Sequence, residues 1–185
     1  MPVIVTLLRG VNVGGHHKIK MEDLRALYES LGFRHAQTFI QSGNVICTVT
    51  ARDLPKVCQR IQKAMEEKYG FSCDVVARTT DELREVLARN PFANRPGLEP
   101  ARLLINFLSC DPDTEGCAKV ATLEYEPDEM HIDGRHAYIY FVSGMARPKL
   151  QWPVVARHLK TSATGRNLTT VQKLLALAEQ LESSR

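Results

Sequence analysis

The chain has 185 residues, 44% of them hydrophobic and 24% charged, which fits one ordinary domain or two small ones and excludes a disordered or fibrous protein. Lys and Arg total 24 against 21 for Asp and Glu, a formal +3 that is too mild for a protein coating nucleic acid but permits a local basic patch. This length buries enough apolar surface to fold without disulfides or metal. The five cysteines (Cys47, Cys58, Cys73, Cys110, Cys117) are odd in number with no CxxC pair, and read as small buried hydrophobes in a reducing compartment.

The apolar run Val3–Leu8 is too short for a signal-peptide core, and Arg9 closes it. No stretch approaches the roughly 20 apolar residues of a membrane span. The expectation is a cytoplasmic protein without a membrane partner. Val3–Leu8 itself reads as a buried central strand, followed by a glycine-bearing loop, 9–20. Met21, Leu24, Leu27, Tyr28 and Leu31 then recur at helical spacing, with Gly32 as terminator. Strands over 35–41 and 44–50 form a hairpin at Ser42-Gly43. Asp53 caps a helix with Pro55 in its first turn, Gly70 ends it, and 73–78 is a fourth strand. The order β-α-β-β-α-β is the ferredoxin-like unit.

The plan then repeats. Thr79 and Glu82 form a capping box ahead of Leu83, Val86 and Leu87, and 90–100 is a linker rich in Pro, Asn and Gly. A strand over 102–108, a helix over 114–123 and a hairpin of 129–132 with 137–142 turning at Asp133-Gly134 follow. A helix over Trp152–Leu159 leads to a faint last strand, at most 161–164. Thr169 and Gln172 suggest a capping box for the closing helix, whose Val171, Leu174, Leu175, Ala178 and Leu181 share one stripe. The expected fold is α+β: a tandem of two ferredoxin-like halves with antiparallel sheets and an extra C-terminal helix. The expected boundaries are 1–78, a helix and linker at 79–100, and 101–185.

The segment richest in chemistry is 8–18, a buried strand running into a loop with Gly10, Gly14 and Gly15 and then into a helix. Glycines let backbone N–H groups converge on an anion. Arg9, Asn12, His16, His17 and Lys18 add donors or positive charge beside them. The spacing of Gly10 and Gly15 matches a phosphate-binding loop, but His16 and His17 occupy the places of its Lys and Ser/Thr, so an ATPase is rejected and an anion site is kept. The same glycines also serve simply to turn the chain, and the residues alone leave both readings open. Gln41-Ser42-Gly43-Asn44 is first of all a hairpin turn. In this topology, however, the end of the first strand lies beside the start of the third, which brings Ser42, Gly43 and Asn44 to Arg9 and Gly10.

Leu7-Leu8-Arg9-Gly10-Val11-Asn12-Val13-Gly14-Gly15, Met21-x-x-Leu24-Arg25 and Ile40-Gln41-Ser42-Gly43-Asn44-Val45 resemble the signatures of domain-of-unknown-function family 1697. Ala163-Thr164-Gly165-Arg166-Asn167-x-x-Thr170-Val171-x-Lys173-Leu174 is similar to that family's last motif. The resemblance implies a duplicated ferredoxin-like architecture and an intracellular bacterial protein, and no established activity. Leu168 stands where a Trp is customary and Pro148 where a Ser is, so a ligand contact made by that Trp would be missing here.

Arg147 reads as a solvated surface residue, whereas Arg166 and Asn167 precede the last helix, an anion-favouring position. No G-x-S-x-G, H-E-x-x-H or paired-carboxylate motif occurs. His131 and His136 flank a hairpin turn, a weak metal signal, and no metal or cofactor is expected. The leading expectation is a binder of an anionic ligand, a phosphate-bearing small molecule or nucleic acid, at a rim of Arg9, Gly14-Gly15, Ser42–Asn44 and Arg166-Asn167. Base stacking on the sheet is disfavoured because the first and third strands carry no aromatics. The alternatives are an enzyme with His16 or His17 as acid or base in a cleft between the halves, and a protein-interaction module.

Overall fold

A computed structural model describes residues 1–184. It contains β1 (Val3–Leu8), α1 (Met21–Ser30), β2 (Arg34–Phe39), β3 (Asn44–Thr48), α2 (Leu54–Tyr69), β4 (Val75–Thr79) and α3 (Thr80–Ala88). After a 3-10 turn at Pro100–Arg102 come β5 (Leu103–Leu108), α4 (Thr114–Ala121), β6 (Glu129–Asp133), β7 (His136–Tyr140), α5 (Trp152–Leu159), β8 (Ala163–Asn167) and α6 (Leu168–Ser183). Two four-stranded antiparallel sheets result, ordered β2-β3-β1-β4 and β6-β7-β5-β8, each a ferredoxin-like arrangement. By contacts the chain divides into two units: residues 1–85 with the chain from Gln172 onward, and residues 86–171.

The duplication holds at the level of single hydrogen bonds. In the first unit Leu8 N donates to Gly43 O, Arg9 N to Asp74 O, and Val49 N to Pro2 O. In the second, Leu108 N donates to Arg135 O, Ser109 N to Ser162 O, and Phe141 N to Arg102 O, the same three ties at the same strand ends. The register agrees: Val5 faces Arg78 across β1 and β4, and Ile105 faces Arg166 across β5 and β8.

Each core lies on the helix-covered side of its sheet. In the first, Ile4, Leu8, Val45 and Cys47 pack with Leu24, Tyr28, Val57, Ile61 and Met65 from α1 and α2. In the second, Leu108, Ile139 and Ala163 pack with Val120, Val155 and Leu159 from α4 and α5. Local chemistry sets the helix ends. Asp53 accepts from Lys56 N, Asp113 from Gly116 N, and Thr79 and Glu82 exchange both bonds of a capping box.

Three local expectations are corrected. The last strand runs over Ala163–Asn167 instead of 161–164, because Gly165 belongs inside it: a Cβ there would stand 2.6 Å from Asn106 Oδ1. The last helix starts at Leu168, with Asn167 Oδ1 accepting from Thr170 N, so Thr169 and Gln172 form no box at its start. The second hairpin turns at Gly134-Arg135, since Asp133 and His136 are already paired.

Candidate functional site

Val11 and Ile19 are both buried in the first core, and everything between them is half-exposed or exposed. One side chain holds this excursion together. The Asn12 carboxamide donates to Ile19 O at 3.0 Å and to Gln41 O at 2.9 Å, while its Oδ1 accepts from Ile19 N at 2.8 Å. The loop is thereby closed on itself and pinned to the β2–β3 turn. Asn12 adopts φ +56, a left-handed conformation that Asn tolerates better than most residues. At the tip His16 N donates to Val13 O across Gly14 and Gly15, both at positive φ, which makes a tight reversal.

The β2–β3 turn is pressed against the same loop. A Cβ on Gly43 would meet Leu8 Cβ at 2.8 Å and Val11 Cβ at 3.2 Å, and its φ of +72 is itself unfavourable for a side chain. Asn44, fully buried, donates through Nδ2 to Phe39 O and to Ser42 Oγ, closing the turn.

Between loop and turn lies a hollow of about 510 Å³, walled by Asn12, Gly15, Lys18, Ile19, Lys20, Met21 and Gln41. Among the described residues no acidic side chain is a wall. Lys18 and Lys20 are exposed and make no ion pair among the described residues. The hollow also meets the start of α1, where Lys20 is the N-cap position but supplies no capping side chain. That end of a helix carries partial positive charge, which Glu22 and Asp23 in the first turn partly offset.

Arg9 lies outside these walls, in an exposed ion pair with Asp74 at 3.2 Å. Gly10 turns the chain beside it at φ +73. The structure therefore brings Arg9, Gly10, Asn12, Gly14, Gly15, His16, Lys18, Ser42, Gly43 and Asn44 into one neighbourhood of the first unit. Arg166 and Asn167 lie in the second unit, on β8. Arg166 is half-buried and donates to Thr164 Oγ1 and Gly165 O, and the loss of solvent around it pulls its pKa down to about 10, still protonated at neutral pH. Leu168, at the customary Trp position, is buried at the start of α6.

Four walls lie outside the residues that the sequence singles out: Ile19 and Lys20 follow directly on the glycine-rich segment, Gln41 opens the hairpin turn, and Met21 belongs to the helix stripe. Of these only the Lys18-x-Lys20 spacing is a visible signal.

Neither His16 nor His17 has a carboxylate partner among the described residues. His16 makes no side-chain hydrogen bond among the described residues, and the His17 ring lies flat on Phe71, 4.0 Å between centroids. A histidine base needs a partner that fixes its tautomer. Burial pushes the Cys47 thiol up to about 12 and those of Cys58 and Cys73 to about 11, away from nucleophilic thiolate chemistry. Among the described residues no group of three or more His, Cys, Asp or Glu is placed to hold a metal, and no helix is long and apolar enough to cross a membrane. Hollows of about 610 and 530 Å³ in the second unit share Tyr125 and Glu126, with further acidic walls from Asp128 and Glu129 or from Glu124.

The family model described as protein of unknown function (DUF1697) matches residues 1–138. The chain belongs to that family. In this DUF1697 chain the matched region contains the whole of the glycine loop, the β2–β3 turn and the hollow between them. No curated protein matches the chain. Among solved structures, conserved bacterial protein SP0830 from Streptococcus pneumoniae is similar in fold, with a TM-score of 0.72 over 96% of this chain and 98% of that one at 22% identity.

Proposed function

We propose that the hollow on the first unit binds an anionic, phosphate-bearing small molecule. The observation that carries this reading is that Lys18 and Lys20, which make no ion pair among the described residues, wall a hollow with no acidic wall among those residues. Two ammonium groups and the uncapped start of α1 favour negative charge in the same space. Asn12 holds the loop in place beforehand, so little ordering entropy is lost on binding. Gly15 supplies backbone that no Cβ screens. Gly10, Ser42, Gly43 and Asn44 support the loop and turn that carry these walls, while the charge of Arg9 is offset by its ion pair with Asp74. Concavity favours a small molecule over a nucleic-acid strand.

The test is calorimetric titration with inorganic pyrophosphate. Affinity should fall steeply between about 50 and about 300 mM salt, because exposed charges attract through a screening solvent. Replacing Lys18 and Lys20 together with Ala should reduce it more than tenfold, on the order of 1.4 kcal/mol. Binding indifferent to salt and to both lysines would overturn the proposal.

A further inference from the structure

The size and the remaining walls of the hollow say more about its ligand than the lysines do. A bare phosphate would fill only a small part of about 510 Å³, a volume in the range of sites for organic ligands. Beyond the lysines, the walls are Ile19 and Met21, which are apolar, and Gln41. The Gln41 backbone carbonyl is held by Asn12, which fixes the residue in place, while its side-chain amide has no hydrogen bond among the described residues. A carboxamide offers a donor and an acceptor side by side, the pattern that pairs with the edge of a nucleobase.

Two exposed apolar residues adjoin wall residues in the chain. Val13 follows Asn12 and is 59% exposed; Ile40 precedes Gln41 and is 51% exposed. Ile40 has φ +50, a conformation that a β-branched residue adopts only under strain. Glycine or asparagine would fit that position without strain, and neither would offer an apolar face. Strained exposed residues of this kind cluster at ligand clamps.

We infer that the ligand is a nucleoside phosphate, its phosphate at Lys18 and Lys20, its base edge on the Gln41 amide and its base face toward Met21 and Ile40. The inference rests on the anion-binding reading and deepens it. The phosphate end uses charge, and the other end uses a flat apolar surface with one paired polar edge. Lys18 and Lys20 then set affinity, and Gln41 sets which base is preferred.

The experiment compares AMP, GMP, CMP, UMP, adenosine and inorganic pyrophosphate by calorimetry on the full chain. At least one mononucleotide should bind about tenfold or more tighter than pyrophosphate. Gln41→Ala should abolish that advantage while lowering pyrophosphate affinity by a much smaller factor. This variant keeps its fold, because the carbonyl that Asn12 holds remains, and a circular-dichroism melt checks it. A 5′-phosphorylated oligonucleotide beside the mononucleotides separates a free nucleotide from a strand end as the source of the same chemistry. If pyrophosphate binds and no nucleotide exceeds it, or if Gln41→Ala leaves the nucleotide advantage intact, the inference is overturned and the anion reading stands. If neither pyrophosphate nor any nucleotide binds, the anion reading fails as well. Adenosine binding as tightly as AMP would overturn the lysines' role.

Discussion

The connection from β1 to α1 takes twelve residues, 9–20, while the connection from β5 to α4, which makes the same turn in the second unit, takes five, 109–113. The flanking strands match bond for bond, down to the Leu8–Gly43 and Leu108–Arg135 ties. Topology therefore asks for no more than the short version. The extra length in the first unit carries three glycines, two exposed lysines and a side-chain staple. Structure that the fold can do without is the part that calls for a functional explanation.

The sharpest way to break this comparison is at the two matched carbonyls. Gly43→Ala would drive a Cβ into Leu8 and Val11 at a positive φ, and should destabilise the chain by about 2–4 kcal/mol in urea unfolding. The matched position in the second unit is already Arg135, and Arg135→Ala should cost no more than about 1 kcal/mol. Equal costs would mean that the long loop does not press on its turn.

Asn12→Ala removes three hydrogen bonds at once and should cost about 2–3 kcal/mol at roughly 1 kcal/mol each. Cys110→Ala in the short connection should fall within about 0.5 kcal/mol, as the residue is exposed. Faster amide exchange across 12–19 should accompany the first change and not the second. A small Asn12 effect would show that the loop is held by something other than this side chain.

Ile40→Asn should work in the opposite direction. Relieving a left-handed β-branched residue should stabilise the protein by about 1 kcal/mol, while mononucleotide affinity falls. A variant that gains stability and loses nothing in binding would remove Ile40 from the ligand account.

The smallest effect concerns what the two units share. Asp53 caps α2 and Asp113 caps α4, and both carboxyls are held below their ordinary 3.8. For Asp53 the main cause is the hydrogen bond from the Lys56 side chain, then that from its backbone; for Asp113 it is the backbone N–H of Gly116. With the folded pKa depressed, the stabilisation is complete above the ordinary value and disappears as pH falls through the lowered one. Asp53→Asn and Asp113→Asn keep a capping oxygen without the titration, so each should flatten the loss of stability as pH falls below the ordinary carboxylate value. Urea midpoints against pH that match wild type would contradict this.

The contrast between the units also explains what the residues reveal unaided. Signals confined to one turn of chain are legible: Asp53 ahead of Pro55, the reciprocal Thr79–Glu82 box, Gly70 after α2. The end of β8 is not, because Gly165 is demanded by Asn106 across the sheet, and Gly-Arg-Asn has no strand signature of its own. The glycine loop advertises itself through its composition. The role of Asn12 stays hidden, since one of its partners, Gln41, is 29 residues away. Gln41, Lys20 and Met21 become neighbours only after the hairpin and α1 are in place. Wall residues of a site are fixed by packing, and composition carries no trace of that.

The central claim is that the long connection of the first unit, and not its short counterpart, is where an anion binds. Titrating inorganic pyrophosphate into ¹⁵N-labelled protein while following backbone amide shifts tests it most directly. The account predicts saturable shifts confined to residues 12–21 and Gln41, with 109–113 unmoved, and their loss in the Lys18→Ala, Lys20→Ala double variant. Shifts centred on 109–113, or spread over exposed lysines without saturation, would contradict it.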